Sequence, residues 1–335
     1  LLLVAFLFFS LDTHATIRYV KPGAQSTAWQ GKSNVYSDLH QALSDAVSGD
    51  EIWVAAGIYR PTSGTDRTIS FQLGDGVKLY GGFSGNETNL EQRNWRTNQT
   101  ILSGNIGNAA LDTDNSYHVI KAVGDDINPV TDATLFDGFI IEKGYANQYS
   151  NDNNNGGGIL LLNASPRVVN VWFRNNYSAS RGGAVYGNGT SNAVFANVIF
   201  TDNRSNDDGA GAYALGPMTF YNCLWYNNEA VYYGSAVATN SSSNNVRVIN
   251  SIAWKNPSYR MQPEFRFINL DNVLVLSNTG ATVIAQDPAF LDEDDYDFRL
   301  RAGSPAGGSG NGFALPQWVT IGYFGNPILP GKTVN

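Results

Sequence analysis

The chain has 335 residues, and 42% of them are hydrophobic, which is enough for a packed core and argues against wholesale disorder. It contains 35 Gly and 37 Asn, whereas charged residues make up only 15%. The net charge is −8 and no cluster of Lys and Arg is present, so we expect no nucleic-acid partner. This composition disfavours long amphipathic helices and predicts many short strands joined by tight turns.

The chain opens with an apolar run, Leu1–Phe9, which is too short to span a bilayer. Small residues follow and end in Thr13-His14-Ala15, a pattern typical of a signal-peptidase site. We therefore expect residues 1–15 to belong to a signal peptide and the mature protein to be secreted, either extracellular or at the cell surface. The alternative is a buried first strand. No other segment is long and apolar enough for a transmembrane span.

Apolar residues at helical spacing predict an amphipathic helix over residues 39–47. Asp38 and Gln41 have the spacing of a capping box, and Gly49 is a natural stop. A helix laid across the first coil is the expected cap of a stacked solenoid. The segments that read as short strands after this helix are Glu51–Ala55, Val77–Phe83, Ile101–Gly104 and Leu135–Ile141.

A repeat begins in the middle of the chain, where two asparagines six positions apart bracket a short apolar strand. The first asparagines of four copies are Asn170, Asn197, Asn222 and Asn250, separated by 27, 25 and 28 residues, and a weaker copy begins at Asn272. A period near 25 residues holds three short strands and three turns, which is one coil of a parallel β-helix. Stacked coils would align the asparagines into ladders of side-chain amides, so we interpret them as structural.

The sequence thus predicts an all-β fold, a parallel β-helix with an N-terminal capping helix. We assign residues 16–300 to this solenoid and its cap, and residues 301–335 to a C-terminal cap or linker. The single cysteine, Cys223, excludes an internal disulfide, and we interpret it as a small buried residue of a repeated strand. His118 lies beside an apolar strand, and we interpret it as a core histidine.

Several motifs resemble those of known β-helix proteins. Phe173-Arg-Asn-Asn176 and Phe200-Thr-Asp-Asn203 resemble the repeats of chlamydial polymorphic outer-membrane proteins. The segments Gly49–Tyr59 and Tyr296–Ala306 are similar to the opening and the close of secreted β-helix proteins of the Bacteroidota type. The resemblance implies a right-handed, single-stranded, pectate-lyase-like solenoid exported to the cell surface. It implies no particular reaction, and in such proteins an anchoring or sorting domain usually follows.

A second signature of each repeat is a run of small residues before a strand, as in Gly182-Gly-Ala-Val185. Aromatic and charged side chains recur between the second asparagine of one repeat and the next such run. These stretches occupy the same corner of successive coils, so stacking would gather them into one ridge suited to sugar rings and hydroxyls. The alternative is that polar turns carry such residues everywhere. The predicted ligand-binding residues are Tyr177, Arg181, Glu229, Tyr232, Tyr233, Tyr259 and Arg260.

The β-helix also hosts pectin-type lyases and polygalacturonases, so an enzyme is an open alternative. The sequence has Asp207-Asp208 but lacks the Gly-His-Gly and Arg-Ile-Lys motifs that are typical of polygalacturonase-like enzymes. If the protein is an enzyme, the candidate catalytic residues are Arg204, Asp207 and Asp208. The alternative is that these residues are solvated charges in a corner loop, and this alternative favours a protein without enzymatic activity.

An acidic run near the C-terminus offers Asp292, Asp294 and Asp297 as candidate calcium ligands. The run does not match the twelve-residue calcium loop, and a solvated turn is the alternative. The fold itself requires no cofactor. The preferred function is a binding or adhesion module for a polysaccharide or a surface protein. The alternatives are a lyase or hydrolase of acidic polysaccharide, and a structural spacer or filament subunit.

Overall fold

The computed structural model describes residues 15–23, 29, 31–150, 152–257, 264–275, 283–284, 286–307, 310–311, 316 and 333–334. Within these ranges most strands pair in parallel with the strand one coil away, which confirms the predicted right-handed parallel β-helix. Three long faces and one short corner strip run along the solenoid axis.

The first and second faces follow one another directly in each coil. The first face comprises Val35–Tyr36, Ile17–Val20, Glu51–Ala55, Lys78–Phe83, Leu135–Asp137, Arg167–Val169, Val194–Ala196, Thr219–Tyr221 and the first halves of Arg247–Trp254 and Asn269–Val275. The second face comprises Gly57–Tyr59, Thr100–Ser103, Ile140–Glu142, Trp172–Arg174, Ile199–Thr201, Leu224–Tyr226, the second halves of Arg247–Trp254 and Asn269–Val275, and Val283–Ile284.

The corner strip and then the third face complete each coil. The corner strip comprises Tyr145–Ala146, Tyr177–Ser178, Arg204–Ser205 and Glu229–Ala230. The third face comprises Phe71–Gln72, Ile120–Val123, Ile159–Leu162, Val185–Gly187, Ala212–Ala214, Val237–Thr239 and Phe265–Arg266. The remaining elements are the 3-10 turns Leu90–Gln92 and Ser242–Asn244 and the antiparallel pairs Phe290–Asp292 with Asp297–Leu300 and Gly310–Asn311 with Thr333–Val334.

The core fills the inside of the coils with stacked side chains. Phe173, Phe200 and Trp225 occupy equivalent positions of three coils, and their successive ring centroids are 5.3 Å apart with nearly parallel planes. This distance is close to the spacing of paired strands, so each coil adds one ring to the stack. Cys223 is buried beside this stack, as predicted, and burial raises the pKa of its thiol.

The first ladder joins the asparagines at the turn between the first and second faces. Asn222 donates from Nδ2 to Oδ1 of Asn197 at 3.3 Å, and Asn197 donates to Asn170 at 3.2 Å. Asn170 donates to the carboxylate of Asp137 at 2.9 Å, which ends the row. All three asparagines have φ between 52° and 54°, the left-handed backbone that Asn tolerates best after Gly.

The second ladder lies deeper, just before the corner strip, and runs in the opposite direction. Asn176 donates from Nδ2 to Asn203 at 3.0 Å, Asn203 donates to Asn228 at 2.9 Å, and Asn228 donates to Asn256 at 2.9 Å. Asn256 donates to Oε1 of Glu264 at 3.1 Å, so this row also ends on a carboxylate. The predicted asparagine ladders are therefore confirmed.

The predicted N-terminal cap is a helix over Leu39–Asp45, which ends two residues before the expected Val47. Asp38 caps it by accepting from the backbone N–H of His40 at 3.0 Å. Gln41 does not complete the capping box, because its amide donates forward to Asp45 at 2.8 Å. Of the residues described, no helix is both long and apolar enough to cross a membrane.

His118 is fully buried, as predicted for a core histidine. Its Nδ1 lies 2.9 Å from the carbonyl oxygen of Gly156, and its Nε2 lies 3.2 Å from Oδ1 of Asn153. Burial lowers the pKa of the imidazole to about 4, so the ring is neutral at physiological pH.

The stretch Phe290–Leu300, which the sequence analysis included in the solenoid, forms an antiparallel hairpin on the outside of the second face. Phe298 packs 5.2 Å from the ring of Tyr226, and Tyr296 packs 5.7 Å from Trp172. The hydroxyl of Tyr296 donates to Asp202 at 2.8 Å. Most of residues 308–335 lie outside the described residues.

Candidate functional site

One line of side chains follows the corner strip along the solenoid axis. The strand register places Tyr145 beside Tyr177, Tyr177 beside Arg204, and Arg204 beside Glu229. Paired strands lie about 4.8 Å apart, so these four positions span about 14 Å. Tyr177 and Glu229, predicted as ligand-binding residues, and Arg204, a candidate catalytic residue, are thus brought together. Tyr145 is an additional member of this line, which was not among the residues predicted from sequence.

The two tyrosines of this line cover each other. The ring centroids of Tyr145 and Tyr177 are 4.3 Å apart with an angle of 23° between the planes. The hydroxyl of Tyr177 accepts from Nδ2 of Asn206 at 2.6 Å, and burial raises its pKa. Because one face of each ring is occupied by the other ring, this part of the ridge presents ring edges and hydroxyls more than open aromatic faces.

Arg67 supports the N-terminal end of the line, although sequence reasoning did not single it out. Its Nη2 donates to the carbonyl of Tyr145 and to Oδ1 of Asn147, both at 2.8 Å. Its guanidinium lies 4.2 Å from the ring centroid of Tyr117. Desolvation lowers the pKa of Arg67, but an arginine stays charged under these conditions.

Three ion pairs balance the charges of the corner and its neighbouring loops. Nε of Arg204 lies 3.3 Å from Oε1 of Glu229, and Nε of Arg181 lies 3.2 Å from Oδ2 of Asp207. Nη1 of Arg266 lies 2.9 Å from Oδ2 of Asp208. Three guanidinium groups therefore face three carboxylates, and the formal charges of this set sum to zero.

Asp208 is the most buried carboxylate of the set, with 4% of its surface exposed. Its Oδ1 accepts from the backbone N–H of Tyr233 at 3.1 Å, and Oδ2 is held by Arg266. Burial raises the pKa of Asp208, Asp207 raises it further, and Arg266 opposes the shift. The three candidate catalytic residues are neighbours, but Arg204 pairs with Glu229 and neither aspartate pairs with it.

Two glycines that precede third-face strands bring the corner loops close to the third face. Gly182 and Gly209 both have φ of 68°, and a Cβ on either would lie 3.0 Å from the Cβ of Tyr186 or Tyr213. These two tyrosines lie in a small buried cluster separate from the main core, and their rings stack with centroids 6.1 Å apart. The guanidinium of Arg181 lies 4.9 Å from the ring of Tyr213. Side chains alternate between the two faces of a strand, so Tyr213, between the core residues Ala212 and Ala214, could have been predicted to point away from the core.

The remaining predicted ligand-binding residues lie in different surroundings. Tyr233 lies under the guanidinium of Arg266, which is 3.8 Å from the ring centroid. Tyr232 lies at the tip of the corner loop and is 36% exposed. Tyr259 and Arg260 lie outside the described residues.

The acidic run near the C-terminus lies in the outer hairpin. Asp297 pairs with Arg299, and Asp292 accepts from the backbone N–H of Asp295 at 3.3 Å. In the part of the chain that the structure describes, which includes Asp294, no three His, Cys, Asp or Glu side chains gather as metal ligands. The calcium site at Asp292, Asp294 and Asp297 stays a prediction without a cluster to support it.

A scan against protein-family models finds no match, and a search of curated proteins finds no relative.

Proposed function

We propose that this protein is an exported β-helix binding module whose ridge recognises glycans outside the cell or at its surface. The observation that carries the proposal is the strand register, which sets Tyr145, Tyr177, Arg204 and Glu229 in one line. Such a line offers phenol hydroxyls, a guanidinium and a carboxylate at successive coils. These groups both donate and accept hydrogen bonds, as the repeated hydroxyls of a polysaccharide require.

Export and a surface location rest on sequence features. The apolar run before Ala15 is typical of a signal peptide. The motifs around Asn176 and Asn203 resemble chlamydial surface-protein repeats, and the opening and closing segments are similar to those of secreted Bacteroidota β-helix proteins. Both resemblances support an adhesin-like role and name no reaction.

One observation favours the alternative of a polysaccharide lyase or hydrolase, namely the raised pKa of the buried Asp208 beside Asp207. Three observations favour binding without turnover. Both oxygens of Asp208 are engaged, Asp207 pairs with Arg181, and Arg204 pairs with Glu229. A general base needs a carboxylate that can reach the substrate, and these contacts compete with that role.

The test is a glycan array run beside a lyase assay that follows unsaturated-uronate absorbance with and without calcium. We expect the protein to bind at least one glycan and to release no unsaturated product. Calcium-dependent turnover would replace the binding proposal with the lyase. Binding to no glycan would reject the glycan ligand and favour a surface protein.

Two ridge variants, Arg204→Gln and Tyr177→Phe, test where the glycan binds. The Arg204 side chain is 53% exposed, so its loss should weaken binding about tenfold without harming the fold. The matched control is Arg299→Gln, which removes an arginine of similar exposure, 61%, from an ion pair with Asp297 outside the ridge. Equal losses in Arg204→Gln and Arg299→Gln would show that binding depends on overall charge rather than on the ridge.

A further inference from the structure

Phe267 has a backbone conformation that its side chain disfavours. Its φ is 59°, in the left-handed region, and 51% of the residue is exposed. Most other left-handed positions outside glycine are Asn, Asp or Lys. A bulky residue at positive φ is strained, and Gly or Asn would make the same turn with less strain.

Tyr296 shows what normally offsets such strain. It has φ of 57°, but its hydroxyl donates to Asp202 at 2.8 Å and its ring packs against Trp172 and Phe298. Phe267 belongs to no buried cluster, and in the described ranges its one ring contact is the guanidinium of Arg266, 5.1 Å from the ring centroid. A strained and exposed aromatic ring without internal packing points to a partner outside the chain.

The side chain next to Phe267, Arg266, is fixed by two contacts. The guanidinium of Arg266 lies 3.8 Å from the ring of Tyr233 and 2.9 Å from Oδ2 of Asp208. Phe267 directly follows Arg266 at the end of the third-face strand Phe265–Arg266, so Arg266 connects the exposed ring of Phe267 to Tyr233 in the corner loop. Phe267 offers an open aromatic face, whereas one face of Tyr145 and of Tyr177 is covered by the other ring.

The charges nearby indicate the chemical class of the ligand. Arg266, Arg181 and Arg204 each have a carboxylate partner, so the ridge carries no excess positive charge for a polyanion. The whole chain has a net charge of −8, which repels acidic polymers. Paired arginine and carboxylate groups can instead donate to and accept from neutral sugar hydroxyls.

We propose that Phe267 is a specificity-determining residue that stacks on the apolar face of a neutral sugar, while Arg266 hydrogen-bonds to hydroxyls of the same chain. The inference rests on the proposed function. It adds a residue that was not among the predicted ligands, and it names a neutral, hydroxyl-rich polysaccharide as the ligand in place of a polyuronate.

The test compares the full chain with Phe267→Gly by affinity electrophoresis in gels that contain either soluble glucomannan or polygalacturonate, at low and high salt. Wild type should be retarded by glucomannan, with little effect of salt. Phe267→Gly should bind it about tenfold more weakly. Because glycine relieves the left-handed strain, the same variant should keep or raise the melting temperature, by about 2–4 °C.

The control is Ile127→Ser, which removes a side chain that is 87% exposed and lies outside the ridge. It should bind as wild type does. If Phe267→Gly also binds as wild type does, the role of Phe267 is rejected while the proposed function stands. Retardation by polygalacturonate alone would reject the neutral ligand. Retardation by neither polymer, together with a glycan array without binding, would reject the proposed function and this inference.

Discussion

The two asparagine ladders pass through the same coils, yet they meet different physical demands. In the first ladder, Asn170, Asn197 and Asn222 have left-handed backbones and also hydrogen-bond to one another, so the residue type meets a conformational demand as well as a hydrogen-bonding one. In the second ladder, Asn203 and Asn228 are fully buried, and the left-handed residue is the one before them. The residue type there is set by hydrogen bonding.

The positions before the second ladder show how this difference affects the sequence. Asn175, Asp202, Asn227 and Lys255 occupy them, and all have φ between 53° and 55°. A position that needs only a left-handed backbone accepts three residue types, whereas the buried position beside it keeps asparagine for four coils. The end of each ladder is a carboxylate, Asp137 or Glu264, which can accept hydrogen bonds without needing a further acceptor.

The largest effect is expected from Asn203→Leu in the second ladder. The amide of Asn203 donates to Asn228 and to the carbonyl of Phe173, and its Oδ1 accepts from the backbone and side chain of Asn176. Leucine leaves these buried groups unpaired, which should lower the free energy of unfolding by about 3–5 kcal/mol. Urea denaturation followed by tryptophan fluorescence measures the loss, and a value below about 1 kcal/mol would contradict a hydrogen-bonding role.

A buried polar group outside both ladders should give the next largest effect. The pKa of His118 is lowered to about 4 in the folded chain, below the 6.5 of an unfolded histidine. The unfolded chain therefore binds the proton first, and stability is lost as the pH falls from 6.5 towards 4, by up to roughly 3 kcal/mol.

The variant His118→Gln tests this loss, because glutamine has no such titration. Between pH 7 and pH 4.5, wild type should lose more stability than His118→Gln in matched urea titrations. The absolute stability of the variant does not matter for this comparison, because only the dependence on pH is compared. Parallel curves for the two proteins would show that other groups dominate the acid sensitivity.

The smallest expected effect is the difference in stability between glycine and alanine variants, and it distinguishes the two ladders most directly. At Asn222, glycine should be more stable than alanine by about 0.5–1 kcal/mol, because the backbone is left-handed there. At Asn228, which is not among the left-handed residues, alanine should be the more stable of the two. Thermal unfolding of the four variants measures both differences. The same order at both sites would mean that the ladders do not differ in this way.

The solenoid could be predicted because its coils repeat the same local chemistry. Asn170, Asn197 and Asn222 recur at one turn, and their spacing indicates one coil of three strands. The hairpin Phe290–Leu300 could not be predicted in the same way. It pairs only with itself and packs on the outside through Phe290 and Phe298, so its position depends on tertiary contacts that leave no period in the sequence.

The ridge was predictable as a set but not in its contacts. The repeat places Tyr177, Arg204 and Glu229 at one corner, whereas the pairing of Arg204 with Glu229 depends on side-chain geometry. Arg266 and Phe267 were missed because they follow the last clear repeat. The left-handed backbone of Phe267 has no signal in a sequence that reads as an ordinary strand end.

The outer hairpin also has a mechanical consequence. In a solenoid each coil contacts mainly its neighbours, so coils can detach one after another from an end. Tyr296 contacts Trp172 and Asp202, while Phe298 contacts Tyr226, so the hairpin bridges three successive coils. A force applied at Leu300 must peel this hairpin away before it reaches the coils beneath it. Coils that would otherwise fray one by one are thereby tied into a single unit.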